Sequence, residues 1–279
     1  MVVFVSLVAA VLFGSGDFCG ALATRRATAL QVVAGSHLIG LVGVGLLAFA
    51  LGNPVTGRDL ALGAAGGVLG AVGVGLLYRR LAVGPMYLVA PVTAVTAAAV
   101  PTLWGWLRGD ELSPAAWAGV VLALGAVALV SSVADSGGQG PITAAAVVES
   151  LGSGLGFGGF YILMAATDAD SQPWPIVGAR LTTALGLLAI LAVLRRAPLP
   201  TDRVGITLIG ATGLFEVAAN CGYLYASTRG QLAVAAVLVS MYPISTVVLA
   251  RLVLDERMSR LQIAGVVGAI AAAGLITRG

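Results

Sequence analysis

Five ionisable residues interrupt long apolar runs in this chain: Asp17, His37, Glu149, Arg180 and Glu216. If those runs cross a membrane, each charge is costly, about 3 kcal/mol or more for a lone carboxylate at the bilayer centre. Such residues therefore face a cavity or pair with one another. Their spacing offers two pairs. Asp17 and His37 each lie 10 residues from position 27, the middle of the first hairpin. Arg180 and Glu216 each lie 18 residues from position 198, the middle of another. At about 1.5 Å per residue, a three-residue error moves either match by about 4.5 Å. A paired charge costs less than a lone one. The chemistry on offer is cation binding or proton uptake at Asp17 and Glu216, and anion recognition at Arg180. For Arg180 and Glu216 the competing reading is a structural ion pair, and for His37 a hydrogen bond within the bundle. Glu149 lies near the start of its run and is read as structural.

Polar residues around these charges follow helical spacing. Gly213, Glu216, Asn220, Tyr223 and Ser227 fall at i, i+3, i+7, i+10 and i+14, on one stripe. A polar stripe belongs toward a cavity or the bundle interior, and Asn220 with Tyr223 is its best polar contact pair. Weaker stripes are Ser6, Ala10, Phe13, Asp17, Gly20 and Thr24, and Glu149, Ser153, Gly156 and Phe160. The stretch Gly14-Ser15-Gly16-Asp17 has the form of an intramembrane aspartyl protease motif. That chemistry needs two close acids sharing a proton. Asp17 is the only Asp inside a predicted span, and the Tyr-Asp partner motif is missing. The glycines are better read as small residues that let the first helix pack closely. No enzymatic activity is expected.

The elements that must carry these residues follow from composition. The chain has 279 residues, 59% hydrophobic and 10% charged, where soluble domains carry about 25% charge. Lipid is the solvent that fits. The expected fold is an all-α integral membrane protein with ten spans at about 2–23, 30–51, 60–78, 86–107, 114–133, 142–166, 174–194, 204–226, 231–254 and 260–277. Ala21-Leu22-Ala23 has the form of a signal-peptidase site, but no Arg or Lys precedes the apolar run, so the first span is read as retained. All 15 basic residues are Arg, placed at helix ends with no basic stripe, which argues for membrane topology and against nucleic acid. Without Lys there is no Walker A motif, so no nucleotide drives the protein. Two Cys and one His leave no zinc spacing, and neither metal nor cofactor is expected. Trp104, Trp106, Trp117 and Trp174 read as interfacial residues. Pro91, Pro101 and Pro243 are expected to kink the fourth and ninth spans. The Gly63/Gly67 and Gly66/Gly70 spacings mark close helix packing.

The sequence repeats itself. Asp110-Glu111 recurs as Asp255-Glu256, Ala118-Gly119-Val120-Val121 as Ala264-Gly265-Val266-Val267, and Gly75-x-Leu77-Tyr78 as Gly222-x-Leu224-Tyr225. Each unit holds five spans, and an odd number inverts the second unit relative to the first, a transporter pattern. The expected domains are 1–134 and 142–279, joined by a polar, Gly-rich linker at 135–141. The paired ends RGDEL and LDERM, each leading into an Ala-Gly-Val-Val helix, resemble the drug/metabolite transporter superfamily with two EamA-like domains. That resemblance implies a multi-pass secondary transporter of the cytoplasmic membrane that moves a small metabolite or drug by alternating access, with export the expected direction. The small-molecule substrate would meet Asp17, His37, Arg180, Glu216, Asn220 and Tyr223, with proton coupling or exchange as the energy source. A flippase for a lipid-linked metabolite is the alternative. Loops one, three, seven and nine hold ten Arg against four on the other side. The positive-inside rule would put both termini outside, whereas the resemblance implies cytoplasmic termini.

Overall fold

The computed structural model describes residues 1–83, 86–131, 143–197, 199–200, 202–254 and 259–278, without the side chains of 78–83, 86–88, 90, 91, 131, 277 and 278. The expected linker at 135–141 and the acids Asp255 and Glu256 lie outside these residues. The protein is all-helical, with no strand among the described residues. The helices are α1 (Val2–Thr24), α2 (Ala29–Leu51), α3 (Gly57–Val83), α4 (Met86–Leu107), α5 (Pro114–Ser131) and α6 (Ala144–Ala165). They continue as α7 (Trp174–Val193), α8 (Arg203–Arg229), α9 (Leu232–Val239), α10 (Tyr242–Leu254) and α11 (Arg260–Arg278). Among the described residues, seven stretches are long and apolar enough to cross a membrane, α9 and α10 together forming one of them at Leu232–Leu254. Three apolar helical stretches are shorter: Val92–Leu107, Pro114–Val130 and Arg260–Ile276.

Local chemistry sets the helix ends. Thr28 begins α2 with a reciprocal capping box to Gln31, and Gly52 ends it at a φ of 65° that a side chain would resist. Asp202 caps α8 by accepting from Gly205 N at 2.9 Å. It also accepts from Arg26 Nη1 at 3.0 Å, across the gap to the α1–α2 turn. Together these donors hold its carboxyl below the ordinary aspartate range, the Gly205 amide contributing most. At the prolines expected to kink their spans, α4 stays helical through Pro91 and Pro101. The ninth span does break, at Ser240 and Met241. Pro243 cannot donate back to Val239 and crowds its carbonyl, so the helix gives way just ahead of it.

Helix α1 packs along α8, and α3 along α6; α2 meets α7 and α8, while α7 meets α2 and α3. The pair α5 and α11 packs together. Glycines make the closest approaches, and several of these recur in corresponding positions of the two halves. A Cβ on Gly67 would lie 2.6 Å from the Ala179 carbonyl of α7, and one on Gly213 would strike the Ser36 carbonyl of α2. A Cβ on Gly14 would lie 2.6 Å from the Tyr242 carbonyl of α10, and one on Gly154 2.8 Å from the Thr93 carbonyl of α4. A Cβ on Gly16 would lie 3.5 Å from the Thr212 carbonyl of α8, and one on Gly156 2.7 Å from the Leu69 carbonyl of α3. In lipid, where apolar side chains gain nothing by leaving their solvent, such contact by small residues is what holds helices together.

The end of the bundle that carries both termini is knit by polar loops. Asn53 Nδ2 donates to the Gln172 carbonyl at 2.6 Å, and Trp174 Nε1 donates to the Asn53 carbonyl at 3.0 Å. Gln172 Nε2 donates to Thr228 Oγ1 at 2.7 Å, and Arg229 Nη1 donates to Gln172 Oε1 at 3.1 Å. Asp110 accepts from Ala233 N at 3.0 Å, so a side chain from the α4–α5 loop satisfies a free amide in the first turn of α9. Buried Asp59 accepts from Asp168 N at 3.3 Å in the same layer. Trp104 and Trp106 are exposed, as interfacial residues are. Trp117 packs edge-on against Trp106, and Trp174 packs edge-on against Phe49.

Candidate functional site

The polar stripe of α8 faces inward. Gly213, Asn220, Tyr223 and Ser227 are buried and Glu216 is partly so, whereas Leu214 and Ala218 on the other side of the helix are exposed. The geometry follows from Gly213, which brings α8 against α2, and from Gly16, which brings it against α1. Glu216 thereby reaches groups from α1, α2 and α7.

Arg180 Nη1 stands 3.0 Å from Glu216 Oε2, with side-chain exposures of 7% and 21%, so the expected pair forms well inside the bundle. Oε2 is buried and accepts no hydrogen bond among the described residues, because the guanidinium N–H is not aimed at it. His37 Nε2 approaches the same oxygen at 3.8 Å. Its other nitrogen, Nδ1, is 2.7 Å from Thr183 Oγ1 of α7. Thr183 Oγ1 also lies 3.0 Å from the Ala179 carbonyl of its own helix, so its single proton can go to either acceptor.

The expected pairing of His37 with Asp17 is replaced by these contacts. The reason is packing: α1 lies mainly along α8 and only lightly against α2, so α2 directs His37 at α7 and α8. Asp17 comes within electrostatic range of Glu216 and of Tyr161. Asp17 is itself exposed, but not on the apolar side of α1. Helical phase agrees. Phe4, Val8 and Val11 form the exposed apolar face of α1, and Asp17 lies on the opposite face with Ser6, Ala10 and Phe13. The exposed residues Ala21 and Thr24 continue that face toward the end away from the termini.

The remaining candidates hold the site's walls. Asn220 Nδ2 donates to the Glu216 carbonyl at 2.7 Å. Tyr223 is fully buried, and its hydroxyl donates to the Tyr161 carbonyl of α6 at 3.0 Å, with ring centroids 4.5 Å apart. Ser153 on the α6 stripe donates to the Gly73 carbonyl of α3 at 2.7 Å. Phe13 packs against Tyr242. Two residues that sequence reading passed over belong here. Thr183 is three residues beyond Arg180 on the same face of α7, a spacing that would have disclosed it. Tyr161 is brought in only by the folding of α6 beside α8. Among the described residues, no group of three His, Cys, Asp or Glu side chains is arranged to hold a metal ion.

Comparison with known proteins accords with this geometry. Residues 145–278 match the EamA-like transporter family, and this half of the chain is an EamA-like transporter domain of the drug/metabolite transporter superfamily. The chain is a multi-pass membrane protein of a transporter type. A solved structure titled "Crystal structure of protein" superposes on 99% of this chain and 96% of its own, with a TM-score of 0.81. At 16% identity it is a likeness of fold. No curated protein matches the chain.

Proposed function

We propose that the protein is a secondary transporter of the cytoplasmic membrane, exporting a small polar or amphipathic metabolite by alternating access. The observation that carries the reading is the charge cluster itself. Asp17, His37, Arg180 and Glu216 come from four helices, two in each half of the chain; His37 and Arg180 approach one buried oxygen of Glu216, and Asp17 lies within electrostatic range of that residue. Charges are retained inside a membrane protein where they bind or move something. The two halves, 1–134 and 142–279, are read as inverted five-span repeats giving ten crossings. Support comes from the doubled glycine approaches: α1 meets α8 as α6 meets α3, and α8 meets α2 as α3 meets α7. Rocking one such half against the other exposes a central site to each side in turn. Asp17 and Glu216 serve as the cation or proton site, and Arg180 offers a contact for an anionic group. Asn220 and Tyr223 shape its wall.

The test is transport in proteoliposomes under an imposed pH gradient, using a panel of radiolabelled amino acids, sugars and organic cations. Asp17→Asn keeps the side chain's shape and removes its charge. The expected result is folded protein with gradient-driven transport lost. Transport of a panel member that keeps its rate and pH dependence in Asp17→Asn removes Asp17 from the mechanism.

A further inference from the structure

The hydrogen bonds around His37 suit two protonation states of its ring. When the imidazole is neutral, the Thr183 hydroxyl donates to Nδ1 across 2.7 Å and Nε2–H is directed at Glu216 Oε2, 3.8 Å away. When the ring gains a proton, Nδ1–H donates to Thr183 Oγ1 instead. Thr183 needs only to rotate its hydroxyl onto the Ala179 carbonyl, already 3.0 Å away, since a hydroxyl donates once and accepts twice. Nδ1 keeps its hydrogen-bond partner throughout, and on the Nε2 side the nearest charge is a carboxylate oxygen 3.8 Å away that accepts no hydrogen bond among the described residues.

We infer that His37 is the proton carrier of this transporter, with Thr183 as a positioning hydroxyl and Glu216 as the counter-charge. The inference rests on the transport reading above. Charged and titratable groups face His37 from each neighbouring helix. Arg180 on α7 opposes the added charge, Glu216 on α8 favours it at 3.8 Å, Asp17 on α1 acts through its range to Glu216, and the Cys221 thiol on α8 lies within range of Arg180. A proton arriving at Nδ1 makes His37 a second cation beside Glu216 Oε2, so that oxygen passes from Arg180 to His37. Arg180 is thereby released to meet an anionic group on the cargo, which couples proton uptake to substrate binding through a single shared oxygen.

His37 is the one histidine in the sequence, so nitrogen-15 histidine labelling reports this ring alone, provided the affinity tag contains no histidine. The purified protein in nanodiscs is titrated by NMR over about pH 4.5 to 9, the range in which histidine changes charge. The expected result is a single protonation step on His37. Thr183→Val takes away the acceptor for Nδ1–H and lowers its midpoint by about one pH unit, tenfold in proton affinity, as loss of a hydrogen bond to a charged group should. Thr183→Ser restores the midpoint, and Glu216→Gln lowers it. A ring that stays neutral across the whole range overturns the inference. So does a midpoint indifferent to Thr183→Val while Thr183→Ser and the wild type elute alike by size exclusion. The titration needs no substrate and no gradient, so its outcome is separable from the transport assay.

Discussion

Removing Arg180 alone will destabilise the protein more than removing Arg180 and Glu216 together. The Arg180 side chain is 7% exposed and that of Glu216 21%, with 3.0 Å between the charges. In Arg180→Met, Glu216 keeps its charge in a buried position with only His37 at 3.8 Å and Asp17, a second acid, nearby. Breaking a buried pair by deleting one partner costs about 3–5 kcal/mol, mainly through the charge left behind. In Arg180→Met/Glu216→Gln that charge is gone, and a neutral replacement of a buried pair is often close to neutral in stability. Thermal unfolding in detergent should therefore rank wild type and double variant close together, with Arg180→Met well below. The charge-reversed variant Arg180→Glu/Glu216→Arg should regain part of the folded yield that either reversal alone loses. A double variant as unstable as Arg180→Met would show that the two residues are not energetically coupled.

The same pair marks how far the sequence could be read. Depth along a helix is set by residue count, so the level of Arg180 with Glu216 followed from their equal distances to position 198. Helical phase likewise placed Glu216, Asn220 and Tyr223 on one inward face. Neither quantity says which helix lies beside which. For that reason the match of Asp17 with His37 in depth did not become a contact. α1 chose α8 as its neighbour, and this choice is made by Gly16 and Gly20 against Thr212, a long-range complementarity invisible in the local pattern. Thr183 was legible in principle, three residues from Arg180. Tyr161 was not, since only the packing of α6 against α8 sets its ring 4.5 Å from Tyr223. The break ahead of Pro243 was foreseeable from proline's missing donor, while α4 carries two prolines without interruption, and nothing in the local sequence separates the two cases.

Gly213→Val is expected to damage both stability and transport, and the contrast with Gly45→Ala isolates the cause. A Cβ at Gly213 would strike the Ser36 carbonyl, with the Ser36 carbonyl carbon at 3.1 Å and Gly40 N at 3.2 Å. All three are backbone atoms and cannot turn aside. From the other side, a Cβ at Gly40 would meet Val217 at 2.9 Å and approach Arg180 Nε to 3.8 Å. The Gly40–Gly213 contact therefore lies directly beside the charge cluster. Relief requires α2 to move from α8, which carries His37 away from Glu216. Overpacking of this kind costs about 1–3 kcal/mol, and more where the neighbour is rigid. Gly45, about one and a half turns beyond Gly40 on the same α2, has open space where its Cβ would stand. Gly45→Ala there should be neutral or stabilising by up to about 1 kcal/mol through helix propensity. Unfolding temperatures should thus move in opposite directions for Gly213→Ala and Gly45→Ala, with Gly213→Val lower still. In the valine variant the nitrogen-15 signal of His37 should shift as its contact with Glu216 is lost. Gly213→Val with wild-type stability and an unmoved His37 signal would mean that α2 and α8 are not held together by this glycine contact, and that the site does not depend on it.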